Sequence, residues 1–142
     1  MTINNKTYAI DIIGKNHDDY ADGSGKAPLT FQMHTTYATQ YKMNGAERND
    51  CGWKNCLVRI SNAFPKLKQV MPAEVVAALK GVTKKTTAGN ASSAIDTTTD
   101  TLFLLSEIEV QGTRTHSYAG EGTQYAYYQT AANRKKNRAW YL

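Results

Sequence analysis

The chain has 142 residues, 41% hydrophobic and 20% charged, which is the length of one domain and excludes a disordered, charged tail. With 17 Lys and Arg against 12 Asp and Glu the net charge is +5, too mild a bias to indicate nucleic acid by itself. No run approaches the roughly 18 apolar residues of a membrane-crossing helix, and the polar start from Met1 to Lys6 lacks the apolar middle of a secretion signal.

Residues 7–13 predict a strand through β-branched Ile10, Ile12 and Ile13, ended by Gly14. Residues 16–28 are polar, rich in Gly and Asp, and predict a long loop. Residues 29–34 alternate, with Leu29, Phe31 and Met33 on one face of a second strand. Trp53, Cys56, Leu57, Ile60 and Phe64 recur at spacings of three and four, which predicts one helix over 53–64 with Asp50 as its cap. A second helix is expected from Pro72 to Gly81, with Pro72 in its first turn and Gly81 as its C-terminal stop.

Residues 83–101 are Thr, Ser, Ala and Gly around one Ile, and read as an extended or irregular crossing with a short strand at Val82 to Thr87. Leu102 to Leu105 reads as a buried strand or strand end. Ser106 followed by Glu109 is a capping box. Residues 121–132 predict a short helix with Thr123 as cap and Tyr125 and Tyr128 on one side. The expected core is Trp53, Leu57, Ile60, Phe64, Val75, Leu79, Phe103, Leu104 and Trp140, buried together in a single domain over residues 1–142.

Few residues group into recognisable chemistry. Asp18 and Asp22 sit at the first and fifth positions of a calcium-loop pattern with Gly23 at the sixth, but Tyr20 and Leu29 break it. A turn network, with the side chains bonded to the loop's own amides, is the other reading. Cys51 and Cys56 are spaced neither for a redox pair nor for zinc. There is no G-x-S-x-G, phosphate loop or H-E-x-x-H, so no catalytic set and no cofactor are expected. Arg134, Lys135, Lys136 and Arg138 form a basic run near Tyr127 and Tyr128. Basic plus aromatic is the composition of a single-stranded nucleic-acid groove, and also of a solvated turn. Tyr125, Tyr128, Trp140 and Tyr141 join that run as candidate ligand or partner contacts.

Several blocks are distinctive: I-I-G-K-N-H-D-D-Y-A-D-G-S-G-K-A-P-L-T-F at 12–31, G-W-K-N-C-L-V-R at 52–59, T-D-T-L-F-L-L-S-E-I-E-V at 99–110, A-G-E-G-T-Q-Y-A-Y-Y at 119–128, and the closing A-W-Y-L. In this order they resemble the DUF6273 family, a domain of unknown function met in gut-bacterial surface proteins and in tail-fibre and minor structural proteins of phages. Its usual members read W-W-L-R-S-P at the end block and run on; here Trp140 and Tyr141 are followed by Leu142.

The resemblance implies an α+β fold: a small twisted antiparallel sheet with two or three packed helices, similar to C-type lectins and formylglycine-generating enzymes. It implies a non-enzymatic structural or adhesion-associated domain of a virion or bacterial surface protein. A carbohydrate- or receptor-binding module is the alternative, and single-stranded nucleic-acid binding through 134–138 the second. The expected partner is a second copy or another structural protein, with a glycan as alternative ligand and no membrane insertion. The stop after Trp140 leads to the expectation of a chain that lacks its display half and self-associates.

Overall fold

The computed structural model describes residues 1–135, the side chain of Lys135 excepted. β1 (Thr2–Ile3) and β2 (Lys6–Thr7) pair antiparallel. β3 (Ile10–Lys15) pairs antiparallel with β4 (Leu29–Met33), with a register shift between Ile12 and Gly14. Gly14 therefore lies within the strand and does not end it. A Cβ there would stand 2.8 Å from Tyr125 Cδ1, so the absent side chain admits the Tyr125 ring.

The helix expected over 53–64 is broken into α1 (Gly52–Asn55), a π-helical turn (Val58–Asn62) and the start of α2 (Phe64–Val70). Cys56 is extended, with φ −70° and ψ 148°, and interrupts the apolar stripe. Trp53 and Cys56 are buried, but Ile60 turns outward. Asp50 does not cap α1: Asn49 Oδ1 accepts from Gly52 N at 3.1 Å, and Asp50 bonds Asn44 and Arg48. Pro65 stands at the start of α2, where a missing N–H costs nothing. α3 (Ala73–Ala78) has Pro72 as its cap and ends at extended Leu79, before Gly81.

The short strand expected at Val82 to Thr87 is present, and the rest of the expected irregular crossing supplies its hairpin partner. β5 (Val82–Thr87) pairs with β6 (Ile95–Asp100) from Val82↔Asp100 to Thr87↔Ile95. Thr is β-branched and favours the pleat without marking an apolar face. Residues 102–105 form no strand, and Leu104 is exposed. α4 (Glu107–Gln111) carries the capping box, with Ser106 Oγ accepting from Glu109 N and Glu109 Oε2 accepting from Ser106 N. Gly112 follows at φ 72°, a left-handed C-terminal stop. α5 (Ala126–Gln129) and α6 (Ala131–Lys135) replace the single helix over 121–132, with Tyr125 at the cap position in place of Thr123.

The chain is thus mixed α+β, and among the described residues its strands form three two-stranded antiparallel sheets. The interior is likewise divided into three clusters. Trp53, Cys56, Val58 and Ala63 pack with Phe64 and Phe103; Ile3, Tyr8 and Met71 pack with Val75 and Leu79; Ile13 packs with Tyr125 and Tyr128. The expected core residues are therefore not buried as one group, and Trp140 lies outside the described residues. One face of β3–β4 is left open: Ile10, Ile12, Leu29 and Phe31 are exposed, Phe31 at 57%. No described helix is long and apolar enough to cross a membrane.

Candidate functional site

Period-two alternation along β5 sends Val82 and Lys84 to the buried side. Lys84 is only 4% exposed, an unusual place for an ammonium. It is met there by two carboxylates. Its Nζ hydrogen-bonds Glu109 Oε1 and lies 3.5 Å from Asp18 Oδ1. It also donates to Tyr125 Oη at 3.3 Å and stands 4.2 Å from the centre of the Phe103 ring. Asp18 accepts from Thr30 Oγ1 at 2.5 Å on Oδ2, and from Tyr125 Oη at 2.8 and 2.9 Å. Tyr125 is fully buried under the stacked ring of His17. Burial, then the charges of Glu109 and Asp18, push its phenol far above the usual range.

A second buried network ties α1 to β6. Asp100 accepts from Trp53 Nε1 at 3.0 Å, from Arg59 Nε at 2.7 Å and from Thr98 Oγ1. Arg59 also donates to the Lys54 carbonyl at 3.0 Å. The two networks lock the β5–β6 hairpin to the helices and to the loop after β3.

Between the loop over 42–52 and the segment over 104–107 opens a cleft of about 730 Å³, within the size range of small-molecule sites. Trp53 of α1, Cys56 just after that helix, Thr86, Thr87 and Glu121 line it. Two of its carboxylates are engaged in holding backbone. Glu121 Oε1 accepts from Thr87 N at 2.9 Å. Glu107 accepts from His116 N at 2.6 Å and from Thr115 N at 3.1 Å, and these bonds, the first foremost, hold its carboxyl below the usual carboxylate range. Burial, then the neighbouring Cys56 and Asp50, push the Cys51 thiol up, away from the reactive thiolate. Leu104 and Met43 leave apolar surface open at the rim.

The structure separates the residues singled out in the sequence. Tyr125 and Tyr128 are fully buried, and each hydroxyl points to an internal acceptor, Tyr125 to Asp18 and Tyr128 to Gln32. They form core and present no exposed contact row. Asp18 is turned inward, whereas Asp22 is exposed and accepts from Ser24 N at 2.9 Å. Among the described residues no group of three or more His, Cys, Asp or Glu side chains comes together as a metal cage. Arg134 is half-buried on α6, and its Nε makes no hydrogen bond among the described residues. Lys136, Arg138, Trp140, Tyr141 and the side chain of Lys135 lie outside the described residues. Lys84 and Asp100 carry the buried networks and Glu121 braces β5 through Thr87; the sequence marks none of them beyond the inward position of Lys84 two residues from Val82.

No curated protein and no solved structure matches the chain. Residues 28–142 match the model of the family described as "Domain of unknown function (DUF6273)", and the chain belongs to that family.

Proposed function

We propose that this is a non-enzymatic structural or adhesion-associated domain of a phage virion or bacterial surface protein, and that it holds a neutral polar ligand such as a glycan in the cleft. One observation carries the reading: the cleft is open and of ligand size, while Glu107 and Glu121, two of the carboxylates that line it, already bind backbone amides. Such a cleft recognises shape and hydroxyls better than it moves protons. The short helices beside twisted antiparallel ribbons are read as a reduced relative of the C-type-lectin-like plan. A glycan array followed by amide-resolved NMR titration tests this. Binding that shifts Met43, Asn44 and Leu104 is expected. A blank array, or substrate turnover abolished by one polar substitution, overturns it.

A second reading concerns assembly. Ile10, Ile12, Leu29 and Phe31 form an apolar strip, and among the described residues β3 and β4 pair only with each other. A second copy of the chain brings the same strip and the same strand edges, so a two-fold pairing covers both. The strip carries no charge, while the chains as wholes, at +5 each, repel. Sedimentation equilibrium at micromolar concentration is expected to show a dimer, reduced to monomer by Phe31→Lys. A wild-type species of 15.7 kDa overturns the pairing.

A further inference from the structure

We propose that Lys84 Nζ and Asp18 Cγ condense spontaneously to an intramolecular amide, with Glu109 as the proton carrier. This stands apart from the cleft and from assembly. The three side chains come from β5, the loop after β3, and α4, and meet at 4–5% exposure. The nitrogen lies 3.5 Å from Asp18 Oδ1 and is hydrogen-bonded to Glu109 Oε1. Tyr125 and Phe103 cover it, His17 stacks on Tyr125, and Thr30 faces Asp18.

Two arguments favour bond formation here over an ion pair. Burying an ammonium with two carboxylates leaves one negative charge in excess and two opposite charges without water, which the interior tolerates poorly. Condensation removes the ammonium and one carboxylate together. Amides are disfavoured in water because water is abundant and the partners are dilute. Here water is excluded, and fixed neighbours reach effective concentrations on the order of 10⁵ M or more.

The roles follow from the hydrogen bonds. One ammonium proton passes to Asp18 Oδ1, leaving a free amine and a carboxylic acid. The amine lone pair attacks Cγ. Charge develops on Oδ2, which already receives Thr30 Oγ1 at 2.5 Å and Tyr125 Oη at 2.9 Å, the arrangement that stabilises an oxyanion. As the C–N bond forms, Glu109 takes a second proton from nitrogen and returns it to Oδ1, which leaves as water. The third proton stays on the amide. No oxidant or co-reactant is required. Asp18 is the acyl partner because both its oxygens face hydroxyl donors. Glu109 is the carrier because Oε2 is held by Ser106 N, leaving Oε1 towards the amine.

Mass spectrometry of the denatured 142-residue chain tests the bond. The expected mass is that of the sequence less one water. Trypsin is expected to yield peptide 16–26 joined to peptide 81–85, since an acylated Lys84 resists cleavage. Glu109→Gln and Lys84→Arg are expected at full mass. Asp18→Asn is expected to lose ammonia in place of water. A wild-type chain at full mass, or one that loses water only within 16–26 as a cyclised Asp22–Gly23, overturns the proposal. An Asp18→Asn chain that still loses water overturns the assignment of Asp18, because Glu109 would then be the acyl partner.

Discussion

Tyr125 Oη reaches both carboxylate oxygens of Asp18, at 2.8 and 2.9 Å, across 107 residues of sequence. The contact joins the loop after β3 to the segment before α5, and Gly14 makes room for the ring. Tyr125→Phe keeps the ring and removes the donor. Leaving the buried Asp18 short of a partner is expected to cost about 1–3 kcal/mol, read as a lower urea midpoint with unchanged slope.

Asp100 gathers Trp53, Arg59 and Thr98 around a carboxylate that is 5% exposed. Asp100→Ala takes the acceptor from the indole N–H and the carboxylate from the Arg59 guanidinium, which keeps its bond to the Lys54 carbonyl. The expected loss is about 3–5 kcal/mol by chemical denaturation, since removing one partner leaves the other charge uncompensated. Leu104→Ala is the contrast. Its side chain is exposed, and a change of under about 0.5 kcal/mol is expected.

Two opposite pH limits follow from two groups. Glu107 has its folded pKa lowered, first by the backbone bond from His116. Its contribution is present above the unfolded value of about 4.3 and is lost as pH falls through the lowered folded value. The amides of Thr115 and His116 are expected to lose exchange protection in that acid window. Tyr125 has its folded pKa raised, chiefly by burial. Its contribution is complete below the unfolded value of about 10 and declines as pH rises beyond it, because the unfolded chain gives up the proton first. Phenolate absorbance of Tyr125 is expected to appear only together with unfolding. Its appearance in a folded chain refutes the burial argument.

Gly52 takes φ 59°, and a Cβ there would stand 2.6 Å from the Thr87 carbonyl oxygen. Both the left-handed backbone and the close approach oppose a side chain. Gly52→Ala is expected to lower stability by roughly 1–3 kcal/mol and to shift the amide of Gly89, which packs against Gly52.

The capping box at Ser106 and Glu109 was legible in the sequence because both partners lie within one turn. So were the strands around Ile12 and Phe31, through branching and alternation. Of the β5–β6 hairpin only the strand from Val82 to Thr87 was legible; β6 was not, because a Thr-rich strand pairs without an apolar stripe, and the turn uses left-handed Asn90 and Ala91 beside Gly89. The stripe from Trp53 to Phe64 was real in spacing, but spacing does not report that Cys56 leaves the helix. The central network was hidden for a different reason. Lys84 is stabilised by Asp18 and Glu109, 66 and 25 residues away, and no local pattern states such a pairing.

The reach of the Asp18–Tyr125 contact also sets an order on biosynthesis. The β3–β4 and β5–β6 hairpins close over short spans and are free to form as they emerge from the ribosome. Asp18 leaves the exit tunnel early and Tyr125 more than a hundred residues later. Until then the nascent chain holds Asp18 and Lys84 without the tyrosine that closes over them. Slowing translation ahead of Tyr125 therefore prolongs an open intermediate, and that interval is when a chaperone or a protease finds this chain most accessible.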